Sequence, residues 1–267
     1  MGFSGHTARK RFGQHWLKDA SVLDRIAAAA ELEPGDTLLE IGPGRGALTE
    51  RLLKSPIEQL HAVELDRDLV QGLRQQFGHD QRFLLLEGDA LAIPLPPARK
   101  VVANIPYNIT GPLLERLLGR LDRPSNHRYE RLVLLLQKEV ADRITAPAGH
   151  SSFSGLSVRL QLQAECESIC SVPPRCFQPP PKVMSEEICL RPRAESLEPE
   201  LAKKLESLLK RCFGARRKML RNTLAGLLAP EALEAWASGA GVRLEQRPQE
   251  LAPERWLALA AGLPPSP

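Results

Sequence analysis

The stretch Thr37-Leu38-Leu39-Glu40-Ile41-Gly42-Pro43-Gly44-Arg45-Gly46-Ala47-Leu48-Thr49 decides the fold of this chain. Its first five residues, Thr37 to Ile41, read as a short buried strand, and Ala47 to Lys54 reads as a helix. The turn between them carries Gly42, Gly44 and Gly46. Glycine lets a backbone approach a ligand closely, and the start of the next helix offers N–H groups that no helical carbonyl claims. The third glycine comes one residue too early for the dinucleotide spacing G-x-G-x-x-G.

Helix and strand alternate on both sides of this turn. Ser21 to Leu32 reads as a helix, with Asp19 or Ser21 as its N-cap and Pro34-Gly35-Asp36 as its break. Downstream come a strand over Gln59 to Glu64, a helix over Asp68 to Phe77, and strands over Arg82 to Glu87 and Val101 to Ala103. Pro112 to Gly119 reads as a helix with proline in its first turn, and Arg131 to Leu136 as an apolar strand leading into a helix over Glu139 to Ile144. This order predicts an α/β fold, a Rossmann-like parallel sheet with helices on both faces. From Glu198 onward only helical segments are read: Glu198 to Phe213, Arg216 to Leu228, Pro230 to Ser238 and Pro253 to Ala261. Pro192 and the Glu198-Pro199 step mark the seam, so the expected domains are 1–193 and a small all-helical 194–267.

The ends of the predicted strands carry the chemistry. Glu64 ends the second strand, placed to accept from both ribose hydroxyls of a nucleoside. Asp89 ends the third, where a carboxylate can accept the amine of an adenine. The run Val101-Val102-Ala103 closes in Asn104-Ile105-Pro106-Tyr107, which delivers a carboxamide, exposed carbonyls and one ring to the same edge. Such a set suits a flat, amine-bearing base. The Asn104 side-chain oxygen and the Ile105 carbonyl can each accept one proton of an exocyclic amine, while Tyr107 stacks on the ring. Pro106 biases Ile105 away from helix and keeps its carbonyl out of a ladder.

Composition narrows the classes. At 267 residues and 43% hydrophobic content the chain has enough apolar material for one full core and a second small one. No run of eighteen apolar residues and no apolar leader is seen, so a soluble cytoplasmic protein is expected. The five cysteines form no C-x-x-C pair and the six histidines no H-E-x-x-H spacing, so neither a disulfide framework nor a metal is indicated. Net charge is only +4, but it is concentrated. Arg9, Lys10 and Arg11 cluster near one end, and Lys210, Arg211, Arg216, Arg217, Lys218 and Arg221 near the other, a distribution suited to phosphate contact.

Taken together, the motifs resemble one family. Gly13-Gln14-His15-Trp16-Leu17, Gly42 to Thr49 with Glu40 two residues before, Gly88-Asp89-Ala90, Asn104 to Ile109, Gln137-Lys138-Glu139-Val140-Ala141-Asp142-Arg143-Ile144, Phe177 to Ser185, and Phe213 through Arg216-Arg217-Lys218 to Asn222 are similar to those of the rRNA adenine N6-dimethyltransferases. The likeness runs from Arg11 to about Leu224 and is strongest to the branch acting on small-subunit (16S) rRNA. It implies S-adenosyl-L-methionine as cofactor, with S-adenosyl-L-homocysteine as product, and no metal. It implies N6,N6-dimethylation of two adjacent adenines in the 3′-terminal hairpin loop of 16S rRNA, late in small-subunit biogenesis, by an expected monomer. Gly42 would lie at the methionine end, Glu64 on the ribose, Asp89 on the cofactor's adenine and Asn104 near the transferred methyl. Residues 1–20 would form a basic segment and lid, with His15 and Leu17 touching the cofactor. Tyr107 and Phe177 would sandwich the target adenine, and Arg216, Arg217, Lys218 and Arg221 would meet RNA phosphates from one helix surface. The chain departs from the family at His15-Trp16, where Asn-Phe is usual. The macrolide-resistance branch acting on large-subunit RNA, a binding module gating subunit assembly, and a nicotinamide dehydrogenase are the competing readings.

Overall fold

A computed structural model describes residue 9, residues 13–127 and residues 129–263. Lys10, Arg11 and most of the basic segment before Gly13 lie outside the described residues. The chain forms two compact units. The first runs to Leu118 and takes in Ser125–Ala141 and Glu167–Pro192; the second comprises Gly119–Pro124, Asp142–Cys166 and the chain from Arg193 on.

The strands are β1 (Trp16–Leu17), β2 (Thr37–Ile41), β3 (Gln59–Glu64), β4 (Phe83–Glu87), β5 (Lys100–Asn104), β6 (Gly119–Arg120), β7 (Arg123–Pro124), β8 (Arg131–Gln137), β9 (Ala164–Val172), β10 (Phe177–Gln178) and β11 (Ser185–Pro192). The helices are α1 (Ala20–Ala29), α2 (Ala47–Leu53), α3 (Arg67–Phe77), α4 (Thr110–Leu118), α5 (Lys138–Thr145), α6 (Gly155–Gln163), α7 (Pro199–Phe213), α8 (Leu220–Thr223), α9 (Pro230–Gly239) and α10 (Pro253–Gly262). Asp19, not Ser21, caps α1: its carboxylate accepts the Val22 N–H at 3.2 Å.

Seven strands make the main sheet in the order β4-β3-β2-β5-β8-β11-β9. β4, β3, β2, β5 and β8 pair in parallel, and β11 returns antiparallel to β8. The sheet is therefore mixed: β11 enters beside β8 after α5, α6 and β9 and runs against it. A sheet wrapped on both faces needs apolar residues at successive positions. β8 has them: Leu132 through Leu136 are each at most 1% exposed.

Register is pinned at the amino edge. Lys100 opens β5 and donates from Nζ to Asp36 Oδ2 at 2.7 Å, just before β2. Both residues are buried, and Arg99 lies 3.3 Å from the other carboxylate oxygen. Burial alone would raise the Asp36 pKa, but the Lys100 hydrogen bond, the Glu33 N–H and the charges of Lys100 and Arg99 together hold it below its ordinary value. A slip of one residue would turn Lys100 to the opposite face and strand both charges. The pairing instead sets Leu38 against Lys100 and Ile41 against Ala103, so β2 and β5 end side by side.

The second unit has its own core, in which Phe153 and Val158 meet Leu205, Leu209, Cys212 and Trp256. The seam read near residue 193 is thus one of several, because residues 142–166 supply apolar faces that pack with α7 and α10. The helix read over Arg216 to Leu228 is not continuous. Residues 214–218 form turns, α8 covers only Leu220–Thr223, and Gly226 has φ +81°. Its first N–H groups are taken by distant carbonyls, Leu220 by Gln246 and Arg221 by Leu244, which fixes the break. Arg216, Arg217 and Lys218 therefore sit on a turn rather than on one helix surface with Arg221.

Removing one partner of a buried ion pair strands the other charge, at a cost of about 3–5 kcal/mol. Lys100→Ala should lower unfolding free energy in urea by that amount, and Asp36→Asn/Lys100→Met should recover most of it.

Candidate functional site

The carboxyl ends of β2, β3, β4 and β5 border one cavity of about 320 Å³ in the first unit. Its lining includes Gln14, His15, Gly42, Gly44, Glu64, Leu65, Asp89, Asn104, Ile105, Pro106, Tyr107 and Phe177. Leu17 instead borders an adjoining recess of about 40 Å³, with Glu40, Pro43 and Arg45.

The glycine turn is needed where it stands. Gly44 has φ +61°, and a Cβ there would lie 2.8 Å from Trp16 Cδ1. Gly46 has φ +77°, and a Cβ there would lie 2.4 Å from Phe77 Cε2. The Arg45 guanidinium carbon sits 4.0 Å from the centre of the Trp16 ring, a cation–π contact that holds the indole over the turn.

Two buried carboxylates flank this turn. Glu64 accepts the Gly44 N–H at 3.1 Å and the Asp66 N–H at 2.9 Å. Burial raises its pKa, and those two N–H groups oppose the shift. Glu40 is 1% exposed and accepts the Thr49 hydroxyl at 2.7 Å. Burial pushes it up to about 8, against the Thr49 hydrogen bond and with the Glu64 charge. Asp89 accepts the Leu91 N–H at 2.8 Å through Oδ1. Leu65, beside Glu64, is 45% exposed and gives the cavity an apolar wall. An acceptor pair for a diol, a carboxylate for an amine, an apolar wall and a backbone turn free of Cβ atoms fit an adenosine carrying an amino-acid tail.

At the other end lies the Asn104-Ile105-Pro106-Tyr107 edge. Ile105 donates its N–H to the Leu135 carbonyl at 2.9 Å, which ties the turn to β8. Asn104 donates from Nδ2 to the His15 carbonyl at 3.1 Å. Tyr107 shares a hydrogen bond of 2.6 Å with the Ser185 hydroxyl, and burial raises its pKa against that bond. Phe177 lines the cavity but is only 2% exposed, packed in the core beside Leu17. Its ring is not an open platform in this structure.

A strap from the amino end crosses this site. β1 pairs antiparallel with β10, setting Trp16 against Gln178 and Leu17 against Phe177. Gln14 donates to Asp66 at 2.9 Å, and Arg9, read from sequence as a phosphate contact, pairs with Asp66 at 2.9 Å and with Asp68. The His15 ring stacks on Tyr107 at 5.7 Å and 29°. No pattern in the sequence signals that stack, the Trp16–Arg45 contact or the Asp66 latch, since each joins residues remote along the chain.

In the second unit Arg216 donates to the Ser151 carbonyl at 2.6 Å, Arg211 donates to the Thr223 and Ala225 carbonyls, and Arg221 pairs with Glu245. Arg217 and Lys218 are exposed. No helix among the described residues is long and apolar enough to cross a membrane.

Residues 5–263 match the ribosomal RNA adenine dimethylase family. The ribosomal RNA small subunit methyltransferase A of Synechococcus sp. strain CC9605 is 65% identical over 98% of both chains. That of Prochlorococcus marinus strain MIT 9313 is 64% identical over 98% of this chain and 96% of its own. Among solved structures, a dimethyladenosine transferase from Plasmodium falciparum superposes with a TM-score of 0.76 at 27% identity, covering 92% of this chain and 96% of its own. The 23S rRNA methyltransferase ErmE does so with 0.75 at 30% identity, covering 93% and 99%.

A carboxyl whose folded pKa is raised binds its proton more tightly in the native state. The native state is then favoured below the unfolded value of 4.5 and loses that advantage as pH rises toward about 8. Thermal unfolding midpoints should therefore fall between pH 5 and pH 8, the range those two values bracket. The fall should be shallower in Glu40→Gln, which keeps an acceptor for Thr49.

Proposed function

This chain belongs to the ribosomal RNA adenine dimethylase family, and we propose that it transfers methyl groups from S-adenosylmethionine to N6 of adenine in small-subunit rRNA. The observation that carries this reading is the shared cavity, in which the Asn104 carboxamide and the Tyr107 ring meet Glu64 and Asp89. The substrate detail, two adjacent adenines of the 3′-terminal hairpin loop of 16S rRNA each taken to the dimethyl state late in subunit biogenesis, follows the family resemblance and the names of the small-subunit relatives.

S-Adenosylmethionine supplies a methyl already activated on a sulfonium, so the protein's task is positioning and electrostatics. Glu64 would accept the ribose hydroxyls, Asp89 the cofactor's adenine amine, and the backbone at Gly42 the methionine end. Leu17 lines the adjoining recess rather than the cavity. The lone pair of an adenine amine is delocalised into the ring, so the site must favour a tetrahedral nitrogen. With Nδ2 of Asn104 given to the His15 carbonyl, Oδ1 is the end of the carboxamide left to accept an N6 proton, and the Ile105 carbonyl would take the other. Tyr107 would stack on one face of the base, with Phe177 behind the other. A monomethylated nitrogen still carries one proton, so the same acceptors serve the second transfer.

The exposed Arg217 and Lys218 suit RNA phosphates, with Arg216 and Arg221 at the ends of the same segment already engaged by Ser151 and Glu245. Such contacts hold the second unit, proposed to be the rRNA-binding one, without reading sequence.

With methyl-labelled cofactor and unmethylated small subunits, label should appear in small-subunit rRNA and not in a large-subunit control. Asn104→Ala should lower that transfer by a hundredfold or more while cofactor affinity falls less; near-native turnover would overturn the role given to Asn104. Arg217→Ala/Lys218→Ala should reduce the slope of log affinity against log salt by roughly two, one for each phosphate that is no longer neutralised.

A further inference from the structure

The imidazole of His15 lies against the Tyr107 ring, which the proposed function gives to the substrate base. It is a planar heteroaromatic ring stacked on Tyr107 with centroids 5.7 Å apart and planes inclined by 29°. Its Nδ1 lies 2.8 Å from the Pro179 carbonyl, two residues beyond Phe177. The side chain thus bridges Tyr107 and the segment that follows Phe177. We infer that His15 is a specificity-determining residue that occupies the stacking seat on Tyr107, so that a base enters only by displacing it. This inference rests on the proposed function, since it takes Tyr107 as the platform for the target adenine.

The strap's architecture allows such a displacement. Besides the side-chain contacts of Gln14 with Asp66 and of Trp16 with Arg45, the strap is held through main-chain groups: the β1–β10 pairing, the Lys18 N–H donated to the Cys176 carbonyl at 2.9 Å, and the His15 carbonyl that accepts from the Asn104 amide. None of them uses the imidazole. The ring can therefore leave Tyr107 by side-chain rotation while its own carbonyl goes on orienting Asn104. Displacement costs one ring stack and one hydrogen bond, each a modest term. A base presented by an RNA hairpin, held by phosphate contacts elsewhere, brings enough binding energy to meet that cost. A free purine nucleotide brings none of those contacts, so the imidazole keeps stray bases off Tyr107.

The test is equilibrium binding of an RNA hairpin whose loop carries two adjacent adenines, one replaced by fluorescent 2-aminopurine. The protein is saturated with S-adenosylhomocysteine so that the cofactor site is closed to the probe. His15→Ala should bind the hairpin roughly tenfold more tightly than the unaltered protein, the sum of the stack and the hydrogen bond removed. His15→Phe keeps a ring but loses the bond to Pro179 and should fall between them. Both variants keep the backbone of residue 15, through which a contact with the cofactor survives a change of side chain, so affinity for S-adenosylhomocysteine should stay within about twofold. Equal or weaker hairpin binding by His15→Ala would overturn the inference, as would a parallel fall in S-adenosylhomocysteine affinity. Failure of the unaltered protein and both variants alike to bind the hairpin would instead overturn the proposed RNA substrate, and the inference with it.

Discussion

The side-by-side ending of β2 and β5 is the constraint on which the site depends, and the buried pair of Asp36 and Lys100 at the opposite edge holds it in place. A parallel ladder transmits register along its whole length, because every residue of one strand is committed to a partner on the next. Lys100 cannot change faces without losing Asp36, so Asn104 cannot move away from Gly42. β3 joins the same ladder, setting Ile41 against Val63 and bringing Glu64 to the common edge. A salt bridge at the amino edge thereby determines which side chains meet at the carboxyl edge.

At that edge the protein concentrates buried carboxyl groups. Glu40 and Glu64 end neighbouring strands with little solvent, and burial raises both pKa values. Backbone N–H groups of the glycine turn and of the Asp66 cap meet Glu64, while Thr49 meets Glu40. A carboxyl pair of this kind is tolerable because Glu40, pushed up to about 8, keeps its proton at neutral pH, and backbone donors offset part of the desolvation of Glu64. It is also suited to a ligand bearing hydroxyls and positive charge.

The strap completes the site from the other direction. Trp16 lies on Gly44, His15 on Tyr107, and the His15 carbonyl on Asn104, so one short segment touches the glycine turn, the Tyr107 ring and the carboxamide. Because β1 pairs with β10, the same segment also positions the Phe177 stretch. The regions proposed for cofactor and for base are thus joined by a single piece of backbone.

Hydrophobic runs and turn residues made much of the core fold legible in the sequence: Thr37–Ile41 and Gln59–Glu64 occur with the bounds their apolar pattern predicts. The glycine turn, Glu64, Asp89 and the Asn104 turn were readable as strand ends because a βαβ order sends every parallel strand end to one edge. α6 was not legible: its polar Ser157, Arg159, Gln161 and Gln163 break any apolar stripe, and it is buried through residues that pack with α7 and α10. The Arg216–Leu228 segment misled for the converse reason, its helix-forming residues being overruled by carbonyls of Leu244 and Gln246 that only the folded chain brings near. Local periodicity is enough to establish the parallel sheet edge and the chemical types gathered on it. Folding decides which of those groups touch, above all His15 on Tyr107 and Lys100 on Asp36, because contacts between residues far apart in the chain leave no local trace.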